Sequence, residues 1–268
     1  MVNAADTPIF RECISVLQEL FPAESEFISS ITPHISGSVT VSTLHGCPPD
    51  EIERIASYLI EKKHLHTFVK CNPTILGYET ARSILDSMGY DYIAFDEHHF
   101  NEDLQYRDAV PMFRRLLALA GSHGLEFGLK LSNTFPVDVK AGELPSQEMY
   151  MAGKSLFPLT TLMAARMAKE FGGRLRLSYA GGADAFNIDK LFECGIWPIT
   201  MATNELKPGG YQRFKQLGDK LDALDFKPFT RVDVTAIEAL SLAARTDKYR
   251  MSISLNLCYT ALRRVLFF

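Results

Sequence analysis

Residues 174–212 constrain the fold more than any other part of the chain. They read as a strand, a glycine turn, a helix, a second strand and a loop of small residues. The first strand leads into SYAGG at 178–182, and Asp184 is placed to cap a helix that runs to about Cys194. The second strand, at 196–201, is followed by Ala-Thr-Asn at 202–204. In a (β/α)8 barrel, backbone N–H groups after the last two strands commonly bind phosphate. The segment therefore favours a phosphate site, although a glycine pair alone often makes only a tight turn.

The same alternation of strands and helices extends back through the chain. Short apolar strands are predicted at residues 38–42, 67–71, 91–95, 126–132, 174–177 and 196–201. Helices are predicted at residues 50–63, 78–88, 106–123, 155–171, 184–194 and 210–224. Such alternation is typical of a parallel sheet that is covered by helices. We therefore expect an α/β fold, either an incomplete TIM-type (β/α) barrel with about six recognisable units or an open doubly wound sheet.

The chain is predicted to have three parts. Residues 1–36 form an N-terminal helical lead-in, and residues 37–225 form the β/α barrel region. Residues 226–268 form a helical tail whose apolar end finishes in Phe267 and Phe268. The tail is interpreted either as a natural C-terminal helix that packs on the core or as a truncated or non-native end within a larger protein.

Charge and cysteine pattern argue against several classes of protein. A formal charge of −4 and a pI near 6.0 predict no basic surface for nucleic acid or an anionic membrane. The five cysteines are scattered without a CxxC pair, so neither a disulfide framework nor a metal site is predicted. The N-terminus lacks a signal segment, and no apolar run reaches the ~18 residues of a membrane-spanning helix. We therefore expect a cytoplasmic protein that binds neither nucleic acid nor membrane.

Lys130 is the most informative candidate at a strand end, where parallel α/β folds carry their functional groups. It lies among Phe127, Leu129 and Leu131, in an apolar strand where an unpaired ammonium is energetically costly. A surface position on an edge strand would remove that cost. An inward position near the mouth of a barrel would let Lys130 stabilise negative charge on a cofactor or form a Schiff base.

Other strand ends have both a functional and a structural interpretation. The Asp-Glu-His-His stretch at residues 96–99 has the composition of a metal site, but alternation directs its side chains to opposite sides. A solvated or hydrogen-bonded loop is favoured there. Cys71 is either a reactive thiol or, as is more frequent, a buried inert one, and His45 and Cys47 are equally ambiguous.

Several longer motifs carry a family resemblance. They are GLKLSNT (128–134), AGKSLFPLTTLMAARM (152–167), LRLSYAGGADAFNIDKLFECG (175–195) and PITMATNELKPGGYQRF (198–214). Their order resembles that of the FMN barrels of dihydroorotate and dihydropyrimidine dehydrogenases. STLHGCPPDEIE, FVKCNPT, NTFPVDV and LSYAGGAD further resemble the barrel region of large iron–sulfur flavoproteins of the selenate reductase type. The likeness covers about residues 37–225, and the chain looks like a central fragment of such a protein.

The resemblance implies FMN at the mouth of the barrel and assigns seven residues to it. Lys130 would face the N1/O2 edge of the flavin, and Asn133 and Gly153 would lie along the ring or the ribityl chain. The 5′-phosphate would be held by Gly181, Gly182, Ala202 and Thr203. Iron–sulfur clusters and FAD or NADPH would belong to further domains of the full-length relative.

The resemblance also bears on substrate and activity. In the pyrimidine enzymes the strand that corresponds to FVKCNPT carries a substrate-binding asparagine, which is Val69 here, and a cysteine, which is Asn72 here. Pyrimidine chemistry is therefore not expected. We predict an oxidoreductase module in which FMN relays electrons between electron-transfer domains or subunits and a small-molecule substrate. The alternatives are a flavin-free structural or assembly barrel and a Schiff-base aldolase or lyase that uses Lys130 or Lys70.

Overall fold

The computed structural model describes residues 2–42, 46–140, 142, 144–203, 205–206, 208–226 and 228–246. The strands in these ranges are β1 (Val2–Asn3), β2 (His34–Ser36), β3 (Ser38–Val41), β4 (His66–Cys71), β5 (Phe127–Leu131), β6 (Phe135–Asp138), β7 (Glu148–Met151) and β8 (Arg176–Tyr179). The helices are α1 (Pro8–Leu20), α2 (Ser25–Ser30), α3 (Pro49–Glu61), α4 (Tyr78–Ser87), α5 (His98–Glu102), α6 (Tyr106–Ser122), α7 (Phe157–Glu170), α8 (Ile188–Glu193), α9 (Gln212–Asp222) and α10 (Val234–Ala243).

A parallel sheet forms the centre of the fold. Its four strands lie in the order β3-β4-β5-β8, and every neighbouring pair is parallel. The predicted strand at 196–201 continues this sheet through a parallel bridge between Tyr179 and Ile199. Tyr179 donates its N–H to Pro198, and Thr200 donates to the Tyr179 carbonyl, at 3.0 and 2.8 Å. Five of the six predicted strands therefore follow one another across the sheet.

Amphipathic helices cover the sheet. In α3, Ile52, Ala56 and Ile60 recur at a spacing of four residues and are fully buried. This helix begins at Pro49, where the missing N–H costs nothing, and Asp50 in its first turn complements the helix dipole. By contrast, α7 is buried on most sides because α10 and the sheet both pack against it.

The prediction of a strand at residues 91–95 is wrong. β4 pairs directly with β5 along five residues, so no strand lies between them. The carbonyl groups of Tyr90 and Ile93 accept hydrogen bonds from the Arg82 guanidinium at 2.9 and 2.7 Å, and not from a neighbouring strand. The apolar pattern of the segment arises because Phe95 packs in an aromatic cluster with Phe100 and other rings.

Two smaller differences concern the segments near the cleft. The predicted long loop after β5 contains an antiparallel hairpin, in which β6 pairs with β7. The helix predicted to start at Asp184 begins at Ile188, because the Asp184 side chain accepts the N–H of Phe186 in a turn before the helix. The first difference places a regular hairpin, and the second a non-helical turn, beside the carboxyl end of the sheet.

The N-terminal part carries α1, α2 and the short antiparallel pair β1–β2. The division of the chain at residues 36 and 225 stays a prediction, and α10, which follows the second boundary, packs against α7. The apolar end at 251–268 lies outside the described residues. Within the described part of the chain, no helix combines the length and the apolar character needed to cross a membrane.

Candidate functional site

A cleft of about 330 Å³ lies at the carboxyl ends of β4, β5 and β8. We call it the main cleft. Its volume is within the range of about 300–1,000 Å³ that is usual for small-molecule sites, at the lower end. Six of the seven residues that the family resemblance assigns to FMN line it: Lys130, Asn133, Gly153, Gly182, Ala202 and Thr203. Lys70, Ser132 and Thr134 are among the other lining residues.

Close contacts between three loops shape one side of the main cleft. A methyl group on Gly182 would lie 2.5 Å from the Gly153 carbonyl oxygen and 2.9 Å from the Lys154 Cα. A methyl group on Gly153 would lie 3.0 Å from Thr203 Cγ2. Both glycines have positive φ, at 80° and 75°, which L-residues rarely adopt. Gly182 therefore allows backbone to approach backbone, and Gly153 allows its loop to pack against the Thr203 side chain.

Gly181, the seventh assigned residue, does not line the main cleft. A methyl group there would collide with the side chain of Thr160 on α7. Thr160 is fully buried, and its hydroxyl lies 2.9 Å from the Ser132 hydroxyl at the end of β5. Gly181 therefore lets α7 pack against the sheet, and only its backbone remains available to a ligand.

Buried polar side chains hold the glycine turn in place. Asn187 is almost fully buried; it accepts the Asp184 N–H at 2.8 Å and donates to the Gly182 carbonyl at 3.1 Å. The Lys154 ammonium pairs with the Asp184 carboxylate at 2.8 Å and lies 4.7 Å from the Phe186 ring. These contacts join the loop after β7 to the loop after β8. Sequence reasoning missed Lys154 because Asp184 becomes its neighbour only in the folded chain. It missed Asn187 because the short-range contacts with Gly182 and Asp184 match no recognised motif.

Two lysines lie side by side in the main cleft. Lys70 on β4 and Lys130 on β5 are register partners, and Lys130 is in turn the partner of Ser178 on β8. Both side chains are half-buried, and neither ammonium has a hydrogen bond or ion pair within the described residues. Burial lowers the pKa of Lys70, and the positive charge of Lys130 lowers it further. The prediction that Lys130 faces inward at the barrel mouth agrees with this position.

A small polar recess adjoins the main cleft at Lys70. Its lining includes Cys47, Asn72, Thr74 and Asp103. Asp103 is buried and accepts hydrogen bonds from the Thr74 hydroxyl at 2.6 Å, the Asn72 amide at 3.1 Å and the Gly46 N–H at 3.0 Å. Asp103 thereby ties the loop before α3 to the end of β4. No sequence motif marks this residue, because it lies 29 residues or more from two of its partners.

The thiol candidates have little nucleophilic character. Cys71 is buried, and burial raises its pKa to about 12. Burial and the nearby carboxylates of Glu51 and Asp50 raise the pKa of Cys47. The inert interpretation of Cys71 therefore agrees with the structure, while His45 lies outside the described residues.

The acidic and histidine-rich stretch forms part of a hydrogen-bonded loop and a short helix. Asp96 accepts the N–H of His98, and His98 lies 3.4 Å from Glu102 one turn later. His99 contacts Glu148 on β7 at 3.0 Å. Among the described residues, no group of three or more histidine, cysteine, aspartate or glutamate side chains is arranged to hold a metal ion.

Comparison with known proteins identifies the family. Two curated relatives, from Escherichia coli strains K12 and O157:H7, are each named "Putative oxidoreductase YgfK" and are 42% identical to this chain over 264 residues. The match covers 93% of this chain and 26% of each relative, so the chain spans about a quarter of their length. The model of the family described as "Oxidoreductase YgfK, N-terminal TIM-barrel domain" matches residues 1–252 and confirms the TIM-type fold. The chain thus belongs to the family of N-terminal TIM-barrel domains of the oxidoreductase YgfK.

Proposed function

We propose that the chain is an FMN-binding barrel module of an iron–sulfur flavoprotein oxidoreductase. The observation that carries the proposal is the convergence of six residues, named from the resemblance alone, on the lining of the main cleft. They come from four separate segments of the chain, so sequence proximity does not explain their meeting. The family's description as an oxidoreductase domain agrees with this assignment.

The residues of the main cleft fit the two ends of FMN. The loops at Gly182 and Thr203 lie beyond the ends of their strands and provide backbone N–H groups for a phosphate. Lys130 lies within its strand, at the level of Ser178, and provides a positive charge deeper in the cleft. Bound FMN would supply two-electron and one-electron transfer. Lys130 would favour negative charge at the N1/O2 edge, and Asn133 would orient the ring or the ribityl chain.

Electron-transfer partners are proposed to lie in the remainder of the oxidoreductase. The relatives are about four times longer than the matched region, which leaves room for further domains. By the family resemblance, those domains would hold iron–sulfur clusters and FAD or NADPH. The likeness to flavoproteins of the selenate reductase type and the cytoplasmic location stay proposals.

Titration of the purified chain with FMN tests the proposal. We expect a perturbed visible spectrum of the flavin, an increase in melting temperature, and saturation at one FMN per chain. Lys130→Met removes the cationic group and should weaken FMN binding about 10- to 150-fold, since a hydrogen bond to a charged group contributes about 1.5–3 kcal/mol. Lys62→Met, at an exposed position at the end of α3, should leave it unchanged. A wild-type chain that melts cooperatively without any response to FMN would support the flavin-free barrel.

The lysine pair also favours a second candidate, a Schiff-base aldolase or lyase. An amine that is desolvated and next to another cation is more often neutral near pH 7, and neutral amines attack carbonyl groups. Lys70 meets both conditions. The amine would add to the substrate carbonyl and lose water to form an imine, which borohydride would reduce to a secondary amine. Mass spectrometry after borohydride treatment with pyruvate or dihydroxyacetone should locate an adduct on Lys70. The absence of any adduct on Lys70 or Lys130 would eliminate this candidate.

A further inference from the structure

Lys70 stands apart from the residues that the resemblance assigns to FMN. It lines both the main cleft and the polar recess, so its ammonium lies where the two cavities adjoin. It is also one strand farther from the glycine turn than Lys130, because the sheet order is β4-β5-β8. A group bound at Lys70 would therefore lie beside the flavin, on the side away from β8.

The charge of Lys70 lacks compensation within the described residues. Two other half-buried cations are paired with carboxylates: Lys154 with Asp184, and Arg176 with Glu126. Lys70 has no such carboxylate, and the nearest strand presents a second cation, Lys130. Neighbouring strands lie only about 4.8 Å apart, so the two ammonium groups repel each other in a partly desolvated place. An anion bound there would relieve both the repulsion and the cost of desolvation.

The acidic group of the polar recess does not provide this compensation. The Asp103 carboxylate accepts hydrogen bonds from the Gly46 N–H, the Asn72 amide and the Thr74 hydroxyl, and no ion pair joins it to Lys70. Its contacts position the recess wall. The lowered pKa of Lys70 is accounted for by burial and by Lys130, with no opposing carboxylate.

The strand position next to Lys70 also excludes recognition of a neutral pyrimidine. Val69 stands where the resembling enzymes have a substrate-binding asparagine, and its side chain is fully buried, outside the lining of the main cleft. An amide that could pair with a neutral heterocycle is therefore missing from this strand. The polar side chain that β4 presents to the cleft is a cation.

We propose that Lys70 binds the anionic group of the substrate, a small carboxylate or inorganic oxyanion, beside the cofactor. The position of this site beside a cofactor rests on the proposed function. The anion site itself depends only on the residues of the chain. Lys130 serves the flavin and Lys70 serves the substrate, so the two lysines have separate roles.

Calorimetric titration with acetate and with sulfate, at constant ionic strength, tests the proposal in the FMN-free chain and in the chain saturated with FMN. We expect at least one anion to bind in both forms, and the comparison of the two anions distinguishes a carboxylate from an inorganic oxyanion. Lys70→Met should weaken that binding at least tenfold and change FMN affinity less than threefold. Lys70→Arg should retain most of the binding, and Lys62→Met should change it less than twofold. Thermal melting establishes that each variant is folded.

Four outcomes would overturn the assignment. The first is that the wild-type chain binds no anion, and the second is that Lys70→Met binds the anion as well as wild type does. The third is that Gly182→Ala loses anion binding while Lys70→Met retains it. The fourth is that Lys70→Met loses as much FMN affinity as Lys130→Met. The third outcome would place the anion in the loops that are proposed to bind the FMN phosphate. The fourth would show that Lys70 binds the cofactor and not the substrate. Lys70-dependent anion binding by a chain that does not bind FMN would leave the anion site standing and refute the flavin proposal.

Discussion

Replacing Gly182 with alanine tests whether the main cleft depends on the close approach of two loops. The new methyl group would lie 2.5 Å from the Gly153 carbonyl oxygen and 2.9 Å from the Lys154 Cα, both of which are backbone atoms. Backbone cannot turn aside as a flexible side chain can. The loop after β7 would have to move, or the turn at Gly182 would have to change its conformation.

The expected magnitude has two parts. A positive φ, here 80°, costs an L-residue about 1–2 kcal/mol, and overpacking adds about 1–3 kcal/mol. Gly124→Ala is a matched control, because Gly124 also has positive φ, at 66°, but has no atom within 4 Å of the new methyl position. The control should therefore show the first part alone. The difference between the two variants isolates the steric part, about 1–3 kcal/mol.

Thermal and urea denaturation measure this difference, and FMN titration measures its effect on the site. About 1 kcal/mol corresponds to about 2–4 °C in a domain of this size, so Gly182→Ala should melt about 2–12 °C below Gly124→Ala. Its FMN affinity should fall at least tenfold, while the control keeps wild-type affinity. Equal melting temperatures for the two variants would refute the packing argument, and unchanged FMN affinity in a destabilised Gly182→Ala would refute the assignment of this loop to the cofactor.

Three further substitutions or treatments probe other contacts. Lys154→Met leaves the Asp184 carboxylate buried without its partner and should destabilise the chain by up to about 3–5 kcal/mol in urea titrations, with partial recovery in the double variant Lys154→Met/Asp184→Asn. Because Cys71 is buried and its pKa is raised to about 12, it should resist iodoacetamide at pH 8 while exposed Cys13 reacts. Peptide mass spectrometry measures the labelling of each cysteine, and equal labelling of the two would contradict the prediction. Asp103→Ala removes the acceptor of three hydrogen bonds and should lower the melting temperature more than Asp103→Asn, which keeps one oxygen.

Most strands of the sheet were predictable because buried parallel strands leave a local signal. The apolar strands β4, β5 and β8 are bounded by turn residues and separated by helical periodicity. The failure at residues 91–95 shows the limit of that signal. Apolar residues that pack as an aromatic cluster have the same composition as a short strand. The direct pairing of β4 with β5 and the Arg82 guanidinium at the Tyr90 and Ile93 carbonyls distinguish the two.

The glycine positions of the site were predictable from sequence motifs. The side-chain contacts of the site were less predictable. Gly153 and Gly182 were found through motif order, and the structure explains both by positive φ and close contacts, with the Thr203 side chain at Gly153 and with backbone at Gly182. Asp103 was missed because the fold, and not the sequence, places its three partners beside it. Asn187 was missed because its short-range contacts match no recognised motif. The pairing of Lys70 with Lys130 likewise depends on strand register, which periodicity does not give.

The distribution of charge compensation separates the two ends of the main cleft. In the loops, the Lys154 ammonium is neutralised by Asp184, so an anion there must be held mainly by backbone N–H groups. Within the sheet, neither Lys70 nor Lys130 has a carboxylate partner among the described residues. Burying two uncompensated cations opposes folding, and the packing of the fold offsets that cost without needing either charge. The positive potential is therefore placed where a ligand, and not the protein, completes it: a flavin edge at Lys130 and an anionic substrate at Lys70.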